Sequence, residues 1–246
     1  MPKYKRFSET SVSEKILDSM FLITIGIAYL FALLNLYYTY QGRDGIEGLS
    51  VQDVIIAYYG SHNQTRLGAA INGPMAPNLP NMGAKTEILD WINHGAPEDE
   101  YNEKIKPILE NNCIMCHSAE SGMPIPHFDS YNNVVKLTQT DTGATIPALV
   151  RVSHIHLFGI AFILFFVGRI FLLCEMNVTL KRTYVALPFI FLLLDISSWF
   201  ITKIIPGFGY VVVTAGGLVG ITFGLQILIS LYQMWFYKPK SIPVEM

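Results

Sequence analysis

The sequence predicts an all-α membrane protein: four transmembrane helices, with a small, mostly helical domain inserted between the first and the second. Three observations carry this. The 246 residues are 51% hydrophobic and only 15% charged, with a mean hydropathy of +0.37, too apolar for an ordinary water-soluble chain. Four runs, 19–38, 155–174, 184–205 and 209–237, are long and nearly uncharged. A polar stretch, 39–153, separates the first run from the other three and has the size of one small domain.

Each run is long enough for a hydrocarbon core of about 30 Å at about 1.5 Å per helical residue. Run 19–38 has no charge, 155–174 has Arg169, 184–205 has Asp195 and Lys203, and 209–237 has none. The organisation expected is a tail over 1–18, a first span over 19–38, the inserted domain over 39–153, three spans within 154–237 and a tail over 238–246. Lys3, Lys5, Arg6 and Lys15 precede the first span, Lys181 and Arg182 lie between the second and third, and Lys238 and Lys240 follow the fourth. With four spans these three segments share one side, and all are basic. The positive-inside rule makes that side the cytoplasm. A bacterial inner membrane, both termini cytoplasmic and 39–153 in the periplasm, is the expected localisation. The first span has a basic start but no small-residue cleavage site in "NLYYTYQGRDG", so it reads as an uncleaved anchor.

The inserted stretch is acidic. It holds thirteen Asp and Glu against seven Lys and Arg, a net charge of −6 in a chain whose total is −2. Such a domain is a poor partner for nucleic acid and would steer a basic periplasmic protein towards it. Its densest cluster, "PEDEYNE" (97–103), reads either as a docking patch or as a solvated loop.

The chemistry lies in "ENNCIMCHSAESGMPIPHF" (110–128), where Cys113, Cys116 and His117 form Cys-x-x-Cys-His. Two thiols at this spacing can form thioethers to the two vinyl groups of one porphyrin, and the adjacent imidazole can ligate its iron. A structural zinc site would want two further Cys or His at close spacing, and the chain has no second Cys-x-x-Cys. A redox dithiol does not require the histidine. One motif implies one covalently attached haem c. Such haems are attached outside the cytoplasm, the side the charge pattern gives this stretch. The third cysteine, Cys174, ends the second span and reads as a packed thiol.

The segment "KIKPILENNCIMCHS" resembles the first helix and haem-binding turn of small class I cytochromes c, and is especially similar to planctomycete-type cytochrome c domains. The resemblance covers about 60–130. It implies a mostly helical cytochrome c domain, with His117 as one axial ligand and a loop methionine as the other. No methionine stands at the usual distance downstream. Upstream, "NGPMAPNLPNMGAKTEILDWINHGAP" (72–97) reads as an irregular loop followed by a short amphipathic helix with Ile88, Leu89, Trp91 and Ile92 on its apolar face and Gly95 as its stop. A loop methionine, then a helix ending W-I-x-x-G-A, resembles the C-terminal part of the same cytochromes, placed before the attachment motif instead of after it. A circularly permuted domain is therefore expected, its distal half at 60–96 and its attachment half at 101–140. Met75 is the first choice for distal ligand. Met82, His127 and Met123 are the alternatives, and two unrelated pieces remain the alternative to permutation.

In the membrane part, His154 and His156 are placed at the periplasmic mouth of the second span, at a turn or helix start with Ser153 as N-cap. They read as interfacial anchors, or as a metal, quinone or haem-edge contact. Asp195 lies near the middle of the third span, where a carboxylate is costly; an ion pair with Arg169 is its expected partner. Gly216, Gly220 and Gly224 form a ridge that admits close helix packing. The function expected is electron carriage between other membrane redox subunits and a periplasmic protein, as a carrier subunit rather than a stand-alone enzyme. A quinol-linked redox enzyme and a structural or assembly subunit of a redox complex are the alternatives.

Overall fold

A computed structural model describes residues 5–123 and 125–237. Lys3 and the tail 238–246, with Lys238 and Lys240, lie outside the described residues. The α-helices are, in chain order, α1 (Val12–Tyr40), α2 (Val51–Tyr59), α3 (Arg66–Asn72), α4 (Met82–Asn93), α5 (Glu98–Glu100), α6 (Lys106–Asn112), α7 (Tyr131–Val134), α8 (Ile146–Phe171), α9 (Val178–Thr202) and α10 (Gly209–Trp235). No strand occurs among the described residues; one isolated bridge joins Thr65 to Thr140. The chain divides into two compact units, Tyr37–Thr145 and Met1–Leu36 with Ile146–Met246.

The second of these contains four helices long and apolar enough to cross a membrane: α1, α8, α9 and α10, the last with its preceding turn from Pro206. Three start earlier than their apolar runs, because capping sets where a helix begins and hydropathy does not. At α1, Ser11 and Glu14 bond each other's backbone N–H, at 3.2 and 2.8 Å. This reciprocal cap carries the helix through polar residues before the apolar run. Asn177 caps α9 by accepting from Thr179 and Leu180 N–H. α8 takes Pro147 in its first turn, where a missing N–H costs nothing. The inserted unit therefore ends at Thr145 and not at 153, and Ser153 is not an N-cap. It lies inside α8, buried. His154 and His156 are likewise helix-interior residues, not members of a turn.

The four spans are held by more than apolar contact. Pro188, buried within α9, has no N–H to give the Tyr184 carbonyl one turn earlier. Gln226 of α10, itself buried, donates Nε2–H to that carbonyl at 2.5 Å. A polar side chain in one span thus closes the gap a proline leaves in its neighbour. On α10, a Cβ at Gly220 would collide with the Tyr29 hydroxyl of α1, and one at Gly216 would lie 3.8 Å from the Asp195 carboxylate of α9. Two of the three ridge glycines therefore pack inside the bundle; at Gly224 the space is open. At one end of the bundle, Phe7 N–H reaches the Leu173 carbonyl, Arg6 pairs with Glu175 at 3.2 Å, and Glu175 exchanges two hydrogen bonds with Gln233. The N-terminal segment, the α8–α9 loop and the end of α10 thus lie together, as four spans require. Cys174 is packed there, buried with Ser230.

In the unit Tyr37–Thr145, Leu67 and Ile71 of α3, Ile88 and Trp91 of α4, and Tyr101, Ile105 and Leu109 of the helical run 98–112 share one apolar core with Phe128 and Val134. The segments 60–96 and 101–140 are therefore one compact body. Tyr131 Oη–H donates to the Ala96 carbonyl at 2.9 Å and Trp91 Nε1–H to that of Pro97 at 2.9 Å. The run 98–112 widens to a π-helix over Tyr101–Ile105, immediately before Pro107, which cannot donate to the Glu103 carbonyl. α4 ends at Asn93, with Gly95 at φ +86°, as its sequence indicates. The ends of the unit are stitched where Tyr58–Gly60 meets Asp141–Gly143. Gly60 and Gly143 have positive φ, and a Cβ on either would strike the opposite backbone.

Candidate haem-attachment turn

α6 ends at Asn112, and the chain makes one more turn. Cys113 N–H bonds Leu109 O at 2.8 Å, Cys116 N–H bonds Cys113 O at 3.1 Å, and His117 N–H bonds Cys113 O at 2.9 Å. This brings the two thiols and the imidazole of Cys-x-x-Cys-His onto one compact turn. Cys113 and Cys116 are free thiols, and Cys113 packs on the edge of the core. Burial pushes the Cys113 thiol above its ordinary range, and neighbouring Cys116 adds to the shift.

His117 is held from behind. Its Nδ1 lies 2.7 Å from the Pro126 carbonyl. A carbonyl can only accept, so the proton is on Nδ1 and the lone pair on Nε2. Phe128 stacks on the imidazole at 4.2 Å and 11°, and its N–H bonds the His117 carbonyl at 2.7 Å. Tautomer and ring plane are thereby both set, the arrangement that a metal-ligating histidine needs. Besides Met123 and His127, the ligand candidates of this stretch, Pro126 and Phe128 are the residues that orient His117. The signal was available: a proline and an aromatic flanking a histidine, just after the motif. Among the described residues no three His, Cys, Asp or Glu side chains gather into a cation-binding cluster, so the turn has no further donors with which to make a zinc site.

The candidate distal ligands lie apart from the core. Met75 begins a 3₁₀ turn after α3, is 38% exposed and receives Asn78 Nδ2–H at 3.8 Å. Met123 is 43% exposed, and Met82, the first residue of α4, 71%. His127 stands between Pro126 and Phe128, whose contacts cover the Nδ1 edge and one face of His117. In the acidic cluster 97–103, Glu98, Asp99 and Glu100 form the first turn of a helix, where negative charge is favoured. Tyr101 is buried in the core and takes no part in an exposed patch.

In the membrane unit, Asp195 does not pair with Arg169. Its Oδ1 accepts Trp199 Nε1–H at 3.0 Å, one turn along α9, and Arg169 is exposed. A tryptophan one turn away reaches the carboxylate, whereas Arg169 is on another helix at a different depth. His156 sets its ring edge-on to Trp199 at 5.5 Å and 82°. His154 is exposed, on a different face of α8.

Residues 139–241 match a family model described as a transmembrane helical domain. The match covers the last three spans and leaves out the Cys-x-x-Cys-His turn. No curated protein and no solved structure matches the chain.

Proposed function

We propose that this protein is a membrane-anchored, mono-haem c-type cytochrome that carries electrons between a membrane redox partner and a periplasmic one. The observation that carries the reading is the bond from His117 Nδ1 to the Pro126 carbonyl. It leaves Nε2 free as a ligand on the same turn as two unpaired thiols. That donor set fits a covalently attached haem: Cys113 and Cys116 hold the porphyrin and His117 the iron, which supplies one-electron storage. The protein's part is to hold His117 in one tautomer and to bury the thiol on the core side. Permutation of a class I cytochrome c domain is the proposed origin of the helix order, supported by the shared core of 60–96 and 101–140.

For the distal ligand, Met75 is the proposed residue. It is the least exposed of the three candidate methionines, and His127 is flanked on both sides by residues engaged with the back of His117. Haem staining of the denatured full-length protein tests the attachment. The wild-type band is expected to stain, and C113A/C116A is expected to lose the stain while still inserting. An unstained wild type, produced with a working haem-attachment system, would exclude the reading. Replacing Met75 by Ala is expected to abolish the low-spin methionine-ligated spectrum; a spectrum unchanged in M75A transfers the role to Met82, Met123 or His127.

A further inference from the structure

We infer that the unit Tyr37–Thr145 carries a further binding site, a cavity between the loop 61–65, α3 and the end of α4, for a neutral, hydroxyl-bearing ring of monosaccharide size. Its volume is about 260 Å³, below the roughly 300 Å³ at which pockets for larger ligands begin, so it has room for one ring. No residue of the Cys-x-x-Cys-His turn and no candidate distal ligand lines it. The site stands whether or not that turn carries haem.

One wall is held rigid. His62 N–H donates to Asp141 O at 3.1 Å, Asp141 N–H to Gln64 O at 2.8 Å and Arg66 N–H to Gln139 O at 3.0 Å, and Thr65 bridges Thr140. Within this wall His62 has φ +56°, a left-handed backbone that glycine adopts at lower cost. The imidazole is nevertheless placed there and fixed. Its ring lies 4.2 Å from that of Tyr59, and its Nε2 lies 3.0 Å from Tyr59 O. A carbonyl only accepts, so the proton is on Nε2 and the lone pair on Nδ1. Backbone strain of this kind gathers at ligand sites.

The lining decides the chemistry of the ligand. None of its ten residues is Asp, Glu, Lys or Arg, although the stretch 39–153 holds thirteen acids and seven bases. An ion entering it would lose water and meet no counter-charge. The polar groups are the carboxamides of Asn63, Gln64, Asn72 and Asn93 beside His62 and Thr140, and a carboxamide both donates and accepts. Asn72 and Gln64 engage each other at 3.3 Å. The amides of Asn63 and Asn93 have no partner among the described residues. The floor is aliphatic: Gly68 adds no side chain, and Leu89 and Ile92 are half-buried there. A flat base, which needs an aromatic platform, finds none on that floor. A pyranose has hydroxyls around its edge and C–H bonds on its faces, and it matches both the rim and the floor.

The test uses the full-length protein in nanodiscs, with methyl α-D-glucopyranoside and its galacto and manno epimers as probes, read by saturation-transfer NMR against empty nanodiscs. A saturable signal is expected from at least one of the three, strongest on ring C–H protons. The corresponding uronate is expected to bind about tenfold more weakly, because its carboxylate meets no counter-charge. H62G is expected to keep the melting temperature, since glycine relieves the left-handed backbone, and to raise the half-saturation concentration about tenfold. N93A, at an exposed position, is expected to raise it similarly, and E87Q, on the exposed face of α4, to leave it unchanged. No saturable signal from any of the three probes, or a half-saturation unchanged in either H62G or N93A, overturns the assignment.

Discussion

The Cys113 thiol titrates above its ordinary range because folding buries it and Cys116 lies beside it. Fewer thiolates at a given pH mean slower alkylation, since the thiolate is the nucleophile. In haem-free protein near pH 8, Cys113 is expected to react with iodoacetamide more slowly than in the denatured chain. The gap should close as pH rises through the raised pKa. Mass-spectrometric labelling rates against pH measure this; equal rates at pH 8 would count against a buried Cys113. Phe128 belongs to the same scale. It is a core residue and the stacking partner of His117. Phe128→Ala should destabilise by about 3–5 kcal/mol, as large-to-small core changes do, read as a lowered melting temperature. The Cys-x-x-Cys-His spacing of Cys113, Cys116 and His117 was legible at this scale, because it is a local property of the chain. Pro126 and Phe128 were not, because their roles depend on a loop folding back onto the imidazole.

Helices that looked like simple apolar cylinders carry specific polar couplings. Gln226→Leu leaves the Tyr184 carbonyl without a donor and should destabilise by about 1–3 kcal/mol. In a Pro188→Ala background the restored N–H can serve that carbonyl, and the same substitution should cost much less. A double-mutant cycle of unfolding free energies measures the coupling; additive effects would show that Gln226 does not repair α9. Gly220→Ala should lower the melting temperature, because its Cβ meets the Tyr29 hydroxyl, and Tyr29→Phe should partly restore it. Spans were legible as elements; their starts were not. The apolar run marks where lipid contact begins, whereas the caps at Ser11 and Asn177 and the proline at 147 mark where the helix begins. The pairing expected between Arg169 and Asp195 failed for a related reason: a partner on the same helix, one turn away, lies closer than one on another span.

For the molecule as a whole, the end of the bundle where Arg6, Glu175 and Gln233 meet gathers the segments that the charge pattern assigns to the cytoplasm. Reporter fusions should give cytoplasmic activity at both termini and at 176, and periplasmic activity within 39–145. The opposite pattern would place the Cys-x-x-Cys-His turn where haem c is not attached. By itself, the sequence determined the helical class, the four spans, the polar insertion and the Cys-x-x-Cys-His spacing. These follow from composition, run length and covalent spacing, which are local properties. Only the tertiary structure decided that 60–96 and 101–140 share one core, that the backbone at Pro126 orients His117, and that Asp195 turns to Trp199, against which His156 sets its ring. Those are contacts between residues distant in the chain or brought together by helix geometry. No local pattern specifies them until the chain has closed around its core.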